Sequence, residues 1–281
     1  MTFAGAYQIA TSVVFSLMTA LWICSLVVRD ASIVDRFWGA GFVFIAWALA
    51  LATPQMSVSM TLLATIVSIW GLRLSLYIHI RNRGHGEDYR YVAMRQNHGG
   101  NFWWYSFLSV FMLQGALMLI VAAPVIYVLA SPKGDNLSLA AAAGAWVWLV
   151  GFVMEAGGDF QLSRFKGNPA NKGKLLTTGL WSLSRHPNYF GDSLQWWGFG
   201  LFALASGELT GFFCLVGPLV MTLFIIKVSG VALLEKNLKV TKPGYESYVE
   251  ATPAFFPKTK FWLVLGIGLI AMILLKGMTA A

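Results

Sequence analysis

Residues 179–200 read GLWSLSRHPNYFGDSLQWWGFG. Arg185, His186, Asn188, Tyr189 and Asp192 stand directly before a run of aromatic and apolar residues. A guanidinium, an imidazole, an amide, a phenol and a carboxylate together supply the donors and acceptors that a polar ligand needs. Pro187 excludes a regular helix before it, so His186 and Asn188 belong to a turn. Tyr189 and Asp192 begin the helix that follows, with Gly191, Asp192 and Gln195 towards one side of its first turns. Trp196, Trp197 and Phe199 read as an interfacial aromatic belt.

Four further stretches gather polar groups at the ends of apolar runs. In RDASIVDRFWG (29–39), Asp35 begins such a run. A carboxylate near a bilayer must be paired or solvated, which makes it a functional candidate. The plainer reading is a helix-terminal acid offset by Arg36 and the helix dipole. In WGLRLSLYIHIRNRGHGEDYRYVAMR (70–95), Arg73, Tyr77 and Arg81 are four apart and share a helix face. Arg73 lies about two turns inside the run, where a cation strains to reach water. Arg83, Arg90 and Arg95 follow in the loop with Glu87 and Asp88. Asp159, Gln161 and Arg164 close another run, before a basic loop of Lys166, Lys172 and Lys174. That loop suits a phosphate through charge and backbone N–H groups, although it is neither a P-loop nor GxGxxG. Finally, Lys227 and Glu235 bracket the end of an apolar run, and Tyr245 and Tyr248 follow on a short amphipathic segment.

The elements that position these groups are read from the hydropathy. The chain has 281 residues, 57% hydrophobic and only 11% charged, where a soluble domain carries about a quarter charged. The expected fold class is all-α: a polytopic integral membrane helical bundle with seven or eight transmembrane helices. The spans fall near 7–28, 37–52, 58–80, 105–130, 138–157, 189–206, 209–232 and 261–276. The first has no basic segment before it and no cleavage site after it, so it reads as a span rather than a signal peptide. One membrane domain, 1–281, is expected. Its spans 1–130 form the substrate side, and 138–260 form the nucleotide side.

All the basic residues except Lys133 and Lys276 lie in the loops 29–36, 81–104, 158–188 and 233–260 or at the span ends touching them. The positive-inside rule places those loops in the cytoplasm and the N-terminus outside. The same rule accounts for the net charge of +8 without nucleic acid as a partner. Cys24 and Cys214 each sit in an apolar run, with neither a metal-ligand pattern nor reason for a disulfide. No metal site and no obligate protein partner are expected.

The run GLWSLSRHPNYFGD, followed by LLEKNLKVTKPGYESYVEATPAFFP, resembles the C-terminal half of the steroid 5-alpha-reductase superfamily. Its bacterial DUF1295 branch is the nearer likeness. The likeness continues upstream through VDRFWG, WGLRLSLYIHIRNRGHGEDYRY and FLSVFMLQG, covering most of 30–257. The Arg–His–Pro turn is shared with sterol C=C reductases and isoprenylcysteine carboxyl methyltransferases. Asn188 after the proline and an acid at Asp192 match the reductases, which usually carry Glu there. The methyltransferases usually carry two adjacent glutamates where this chain reads Leu234, Glu235, Lys236.

The resemblance implies NADPH in a cytoplasm-facing cavity, held by Asp159, Arg164, Arg185, His186, Asn188, Tyr189, Asp192, Glu235 and Tyr248. Arg73 and Arg83 join them as ligands for its phosphates. It implies hydride transfer to the C=C bond of a lipophilic enone drawn from the bilayer, in the membrane of a bacterium. The proton donor is then Asp35, with Tyr77; the reductases' own tyrosine falls near Trp70 here. The competing expectation is a lipid methyltransferase using S-adenosylmethionine. A transporter is disfavoured, because the polar residues collect at span ends rather than at broken mid-membrane helices.

Overall fold

The computed structural model describes residues 1–131 and 137–280; Lys133 and the side chains of 229, 233, 237, 240 and 275–280 lie outside that description. Among the described residues every regular element is a helix. Two compact units follow one another along the chain, Met1–Asn136 and Leu137–Ala281.

In the first unit, α1 (Phe3–Val28) starts at Thr2, whose Oγ1 accepts from Gly5 N at 3.1 Å. A single turn, α2 (Ile33–Arg36), separates it from α3 (Trp38–Ala52). Helix α4 (Val58–Asn82) is capped by Ser57 and packs on α3. The contact is close because Gly39 and Gly71 face each other; a Cβ on Gly71 would stand 2.5 Å from Gly39 O. Helix α5 (Tyr89–His98) is capped by Asp88. A further long apolar stretch comprises α6 (Phe102–Ser106), a π-helix (Phe107–Met112), α7 (Leu113–Val121) and α8 (Ala123–Ala130). Pro124 accounts for the break before α8, which the reading of 105–130 as one span did not foresee.

In the second unit, α9 (Leu139–Gly167) and α10 (Pro187–Leu204) form the main pair. Gly144, Gly151 and Gly158 recur every seven residues on α9, and Gly191 and Gly198 do so on α10. A Cβ at Gly144 would stand 2.7 Å from Gly198 O, and one at Gly151 2.7 Å from Gly191 O. Two backbones this close bring the polar side chains of both helices together without a gap. Pro187 is the first residue of α10, so Asn188 sits in a helical turn rather than in a loop. Trp196 and Phe199 are fully buried and pack edge-to-face at 5.2 Å, so they are core rather than belt; Trp197 is the exposed member. Then come α11 (Leu209–Phe213), α12 (Val216–Phe224), a second π-helix (Ile225–Ser229), α13 (Val231–Thr241), α14 (Tyr245–Ala251) and α15 (Thr259–Ala280).

Among the described residues, five helices are long and apolar enough to cross a membrane: Phe3–Val28, Val58–Asn82, Tyr89–Val121, Leu139–Gly167 and Leu209–Val228. Trp38–Ala52 and Thr259–Leu274 are apolar but shorter. Large apolar side chains such as Leu51, Leu76 and Ile267 lie bare along these helices, as lipid-facing residues do. The chain is a helical membrane protein.

Candidate functional site

Each unit holds a carboxylate that gathers an arginine, a tyrosine and a third polar side chain. In the first unit it is Asp35, on α2. Tyr91 donates its phenolic O–H to Asp35 Oδ1 at 2.8 Å, and Arg90 Nη2 donates to Oδ2 at 2.8 Å. Gln114 Nε2 donates to the Tyr91 oxygen at 3.1 Å and to Asp35 Oδ1 at 3.3 Å. Asp88 caps α5 and accepts from Arg90 N at 3.0 Å and Arg90 Nε at 2.9 Å. Burial alone would raise the Asp88 carboxyl; the hydrogen bonds and charge of Arg90 outweigh it and hold the group below its ordinary value. This cap starts the helix that carries Arg90 and Tyr91. Glu87 adds a second tie, accepting from Ala31 N at 2.8 Å and from Arg95 at 2.8 and 3.0 Å. On the far side, the π-helix stands directly before α7 and Gln114. A π-turn holds one extra residue and rotates the helix beyond it by roughly 100°.

The phenol on Asp35 is therefore that of Tyr91, where the sequence pointed to Tyr77. The Tyr77 ring lies instead between cations, with Arg73 5.0 Å and Arg81 5.6 Å from its centre. Arg83 ends α4 as an exposed residue. Two signals for the true partners were present. Asp88 is a helix cap, which puts Tyr91 three residues into a helix. Gln114 is the single amide in a long apolar run, and such residues are functional candidates by default.

In the second unit the carboxylate is Glu235, on α13. Arg185 grips it through Nε at 3.0 Å and Nη2 at 2.9 Å, His186 Nε2 stands at 2.9 Å, and Tyr245 donates at 2.6 Å. Burial works to raise the Glu235 carboxyl, but these partners outweigh it and bring it down to about 2. Burial lowers His186 against the opposing pull of Glu235, which keeps the imidazole neutral near pH 7. Arg185 has further duties. Its Nη1 donates to Val249 O at 3.1 Å and to Thr252 O, and its backbone N–H donates to Pro253 O at 2.9 Å. Tyr248 donates to Trp181 O, and Ser184 to Phe255 O at 2.9 Å. The Arg–His–Pro turn is thus stitched to α13, α14 and the segment after them.

Beside it, the α9–α10 seam pairs amides with acids. Asn188 Nδ2 donates to Asp159 Oδ1 at 2.9 Å, and Gln195 Nε2 to Glu155 Oε2 at 2.6 Å. Among the described residues, Asn188 Oδ1 is buried and accepts from no protein group. Asp192 lies one turn beyond Asn188, half-buried, and Tyr189 stacks on His186 with ring centres 5.7 Å apart. Arg164 is exposed in the last turn of α9. This set fits a nucleotide: an unused amide oxygen for a carboxamide or hydroxyl donor, and an exposed arginine for a phosphate. The described residues hold no cluster of metal-ligand type.

The fold and these clusters define an all-helical membrane protein with two carboxylate-centred polar sites. The chain belongs to the DUF1295 family, described as proteins of unknown function, which matches residues 21–252. It is 28% identical to an uncharacterized protein of Schizosaccharomyces pombe, over 87% of this chain and 77% of the relative. It is 45% identical to the probable O-methyltransferase ustE of Ustilaginoidea virens over 83 residues, 28% of each chain. No solved structure matches the chain.

Proposed function

We propose that the protein is an NADPH-dependent reductase of the steroid 5-alpha-reductase superfamily that reduces the C=C bond of a lipophilic enone. The observation that carries the reading is the Asp35–Tyr91–Gln114–Arg90 cluster. Reduction of an enone at its β-carbon builds negative charge on the carbonyl oxygen, and a donor placed there lowers the barrier. Tyr91 passes its proton to that oxygen and recovers one from solvent, and Asp35, which accepts from the phenol, orients it. Gln114 Nε2, donating to the phenolic oxygen, and Arg90, 5.4 Å from the ring centre, steady the charge left behind.

NADPH, when bound, supplies the hydride. In the second unit Asn188, Asp159 and Asp192 meet its polar head, and Tyr189 and Arg164 serve its sugar and phosphates. Arg185, His186, Glu235 and Tyr248 frame that surface. The helices at Trp38–Ala52, Pro187–Leu204 and Thr259–Leu274 complete eight spans with the five long ones. The N-terminus is then outside, the basic loops and the nucleotide are in the cytoplasm of a bacterial cell, and the substrate arrives from the inner membrane's lipid.

The partial likeness to ustE favours a second reading, methyl transfer from S-adenosylmethionine. Calorimetry with both cofactors separates the two. The expected outcome is binding of NADPH but not of S-adenosylmethionine, and NADPH oxidation on addition of lipid enones. Tight binding of S-adenosylmethionine alone would reverse the assignment.

A further inference from the structure

Tyr91 and Asp35 meet across 56 residues, and each sits on a short element. Asp35 is on the single turn α2, and Tyr91 is on α5, which has 10 residues. Helices this short need outside contacts to hold their place. Between α4 and α5 the chain turns at Gly84 and Gly86, with φ of +80° and +71°, so the loop alone does not fix where α5 lies. The Asp88 cap starts α5, but a cap does not place a helix against its neighbours.

Glu87 and Arg95 do place it. Glu87 Oε1 accepts from Ala31 N at 2.8 Å, four residues before Asp35, and Glu87 itself stands four residues before Tyr91. One carboxylate thus joins the roots of both elements. Arg95 grips the same carboxylate, through Nη2 to Oε1 at 2.8 Å and through Nε to Oε2 at 3.0 Å. Two parallel hydrogen bonds fix direction as well as distance. Arg95 lies four residues after Tyr91 and shares its face of α5. Its guanidinium stands 4.4 Å from the centre of the Phe102 ring, on α6. The Glu87 side chain is only 10% exposed, so the pair is enclosed rather than loose on the surface. It holds α5 on both sides of Tyr91 and fastens it to the segment before α2 and to α6.

We infer that Glu87 and Arg95 are positioning residues, which set the reach of the Tyr91 phenol to Asp35. Their effect on rate rests on the reaction proposed above; their effect on geometry does not, and the two are read separately. The full chain is labelled with fluorotyrosine. The fluorine resonance of Tyr91 is assigned by its loss in Tyr91→Phe, and its shift in Asp35→Asn marks the broken contact. Glu87→Gln and Arg95→Met should move that resonance towards its Asp35→Asn position, and leave those of Tyr245 and Tyr248, in the other unit, in place. The kcat for enone reduction should fall by about 10- to 100-fold, the cost of a misplacement of about 1 Å, with KM within about twofold. Thermal melts identify the folded variants. Arg95→Lys keeps the charge without the two-pronged hold; it should show the same changes in smaller measure, and it serves if Arg95→Met does not fold. A pair that only stabilises the fold lowers the melting temperature and nothing else. Folded variants that keep the wild-type resonance, or the wild-type kcat, would therefore overturn the inference. A moved resonance in a protein whose wild type reduces no enone would uphold the clamp and refute the reductase reading instead.

Discussion

Asp35 and Glu235 are bound by nearly the same groups. Each carboxylate holds an arginine, a tyrosine and one further side chain, Gln114 in the first unit and His186 in the second. Their surroundings differ. In the second unit the Arg185 and Glu235 side chains are 7% and 14% exposed; in the first, Arg90 and Asp35 are 38% and 23% exposed. Arg185 is also bonded to backbone carbonyls at 249 and 252, whereas the second partner of Arg90 is another side chain, Asp88. The proposed function gives the two sets different jobs. Enclosed and tied to the backbone, the second unit's set fastens chain segments together. Left open on one side, the first unit's set is the arm to which the proposed function gives the proton transfer. Residue types alone do not separate the two clusters; enclosure and backbone ties do.

The contrast is broken or sharpened by substituting the two arms in parallel. The largest effect on stability is expected at the enclosed cluster. Arg185→Met leaves Glu235 buried with its main partner gone, and should lower unfolding stability in detergent by about 3–5 kcal/mol. Asp35→Asn, in the open cluster, should change stability by no more than about 1 kcal/mol. If Asp35→Asn unfolds the protein as readily as Arg185→Met, the distinction fails.

The next effect is on turnover. Tyr91→Phe removes the phenolic proton and should slow enone reduction by at least about 100-fold while NADPH affinity stays as in the wild type. Tyr77→Phe should leave the rate near that of the wild type. Equal losses in both variants would return the donor role to Tyr77.

The smallest effect is on pH dependence. Glu235 has its folded value, about 2, below its ordinary 4.5. Its contribution is full above 4.5 and is lost as pH falls towards 2. His186 is also lowered from its ordinary 6.5, so the unfolded chain takes up the proton first and stability declines as pH falls below 6.5. Both shifts act in one direction. Thermal melts should therefore show the midpoint falling on acidification from pH 7, with a weaker fall in His186→Gln above pH 5. A midpoint that rises on acidification contradicts both.

The all-helical membrane fold was legible in the long apolar runs, five of which fall in helices long enough to span among the described residues, whereas the stretches read as loops at 81–104, 158–188 and 233–260 hold helices of their own. Breaks inside the apolar runs were not legible. The single turn α2, the π-helices before Gln114 and before Gly230, and the break at Pro124 depend on packing that hydropathy does not record. At the sites, Asp35 and the residues from Arg185 to Asp192 stood out because charge beside an apolar run is conspicuous. Tyr91 did not, since a tyrosine in a loop-like, arginine-rich stretch looks ordinary until Asp88 is recognised as a helix cap. The pairing of Arg185 with Glu235 was also out of reach. Fifty residues separate them, and no local pattern records that contact.

The central claim is a hydride moved to a lipid carbon, and labelled cofactor tests it most directly. The wild type is incubated with a lipid enone and NADPH deuterated at the transferred position, and the product is analysed by mass spectrometry. The account predicts a saturated ketone carrying one deuterium at the β-carbon. A product without deuterium that has gained a methyl group when S-adenosylmethionine is supplied would contradict it.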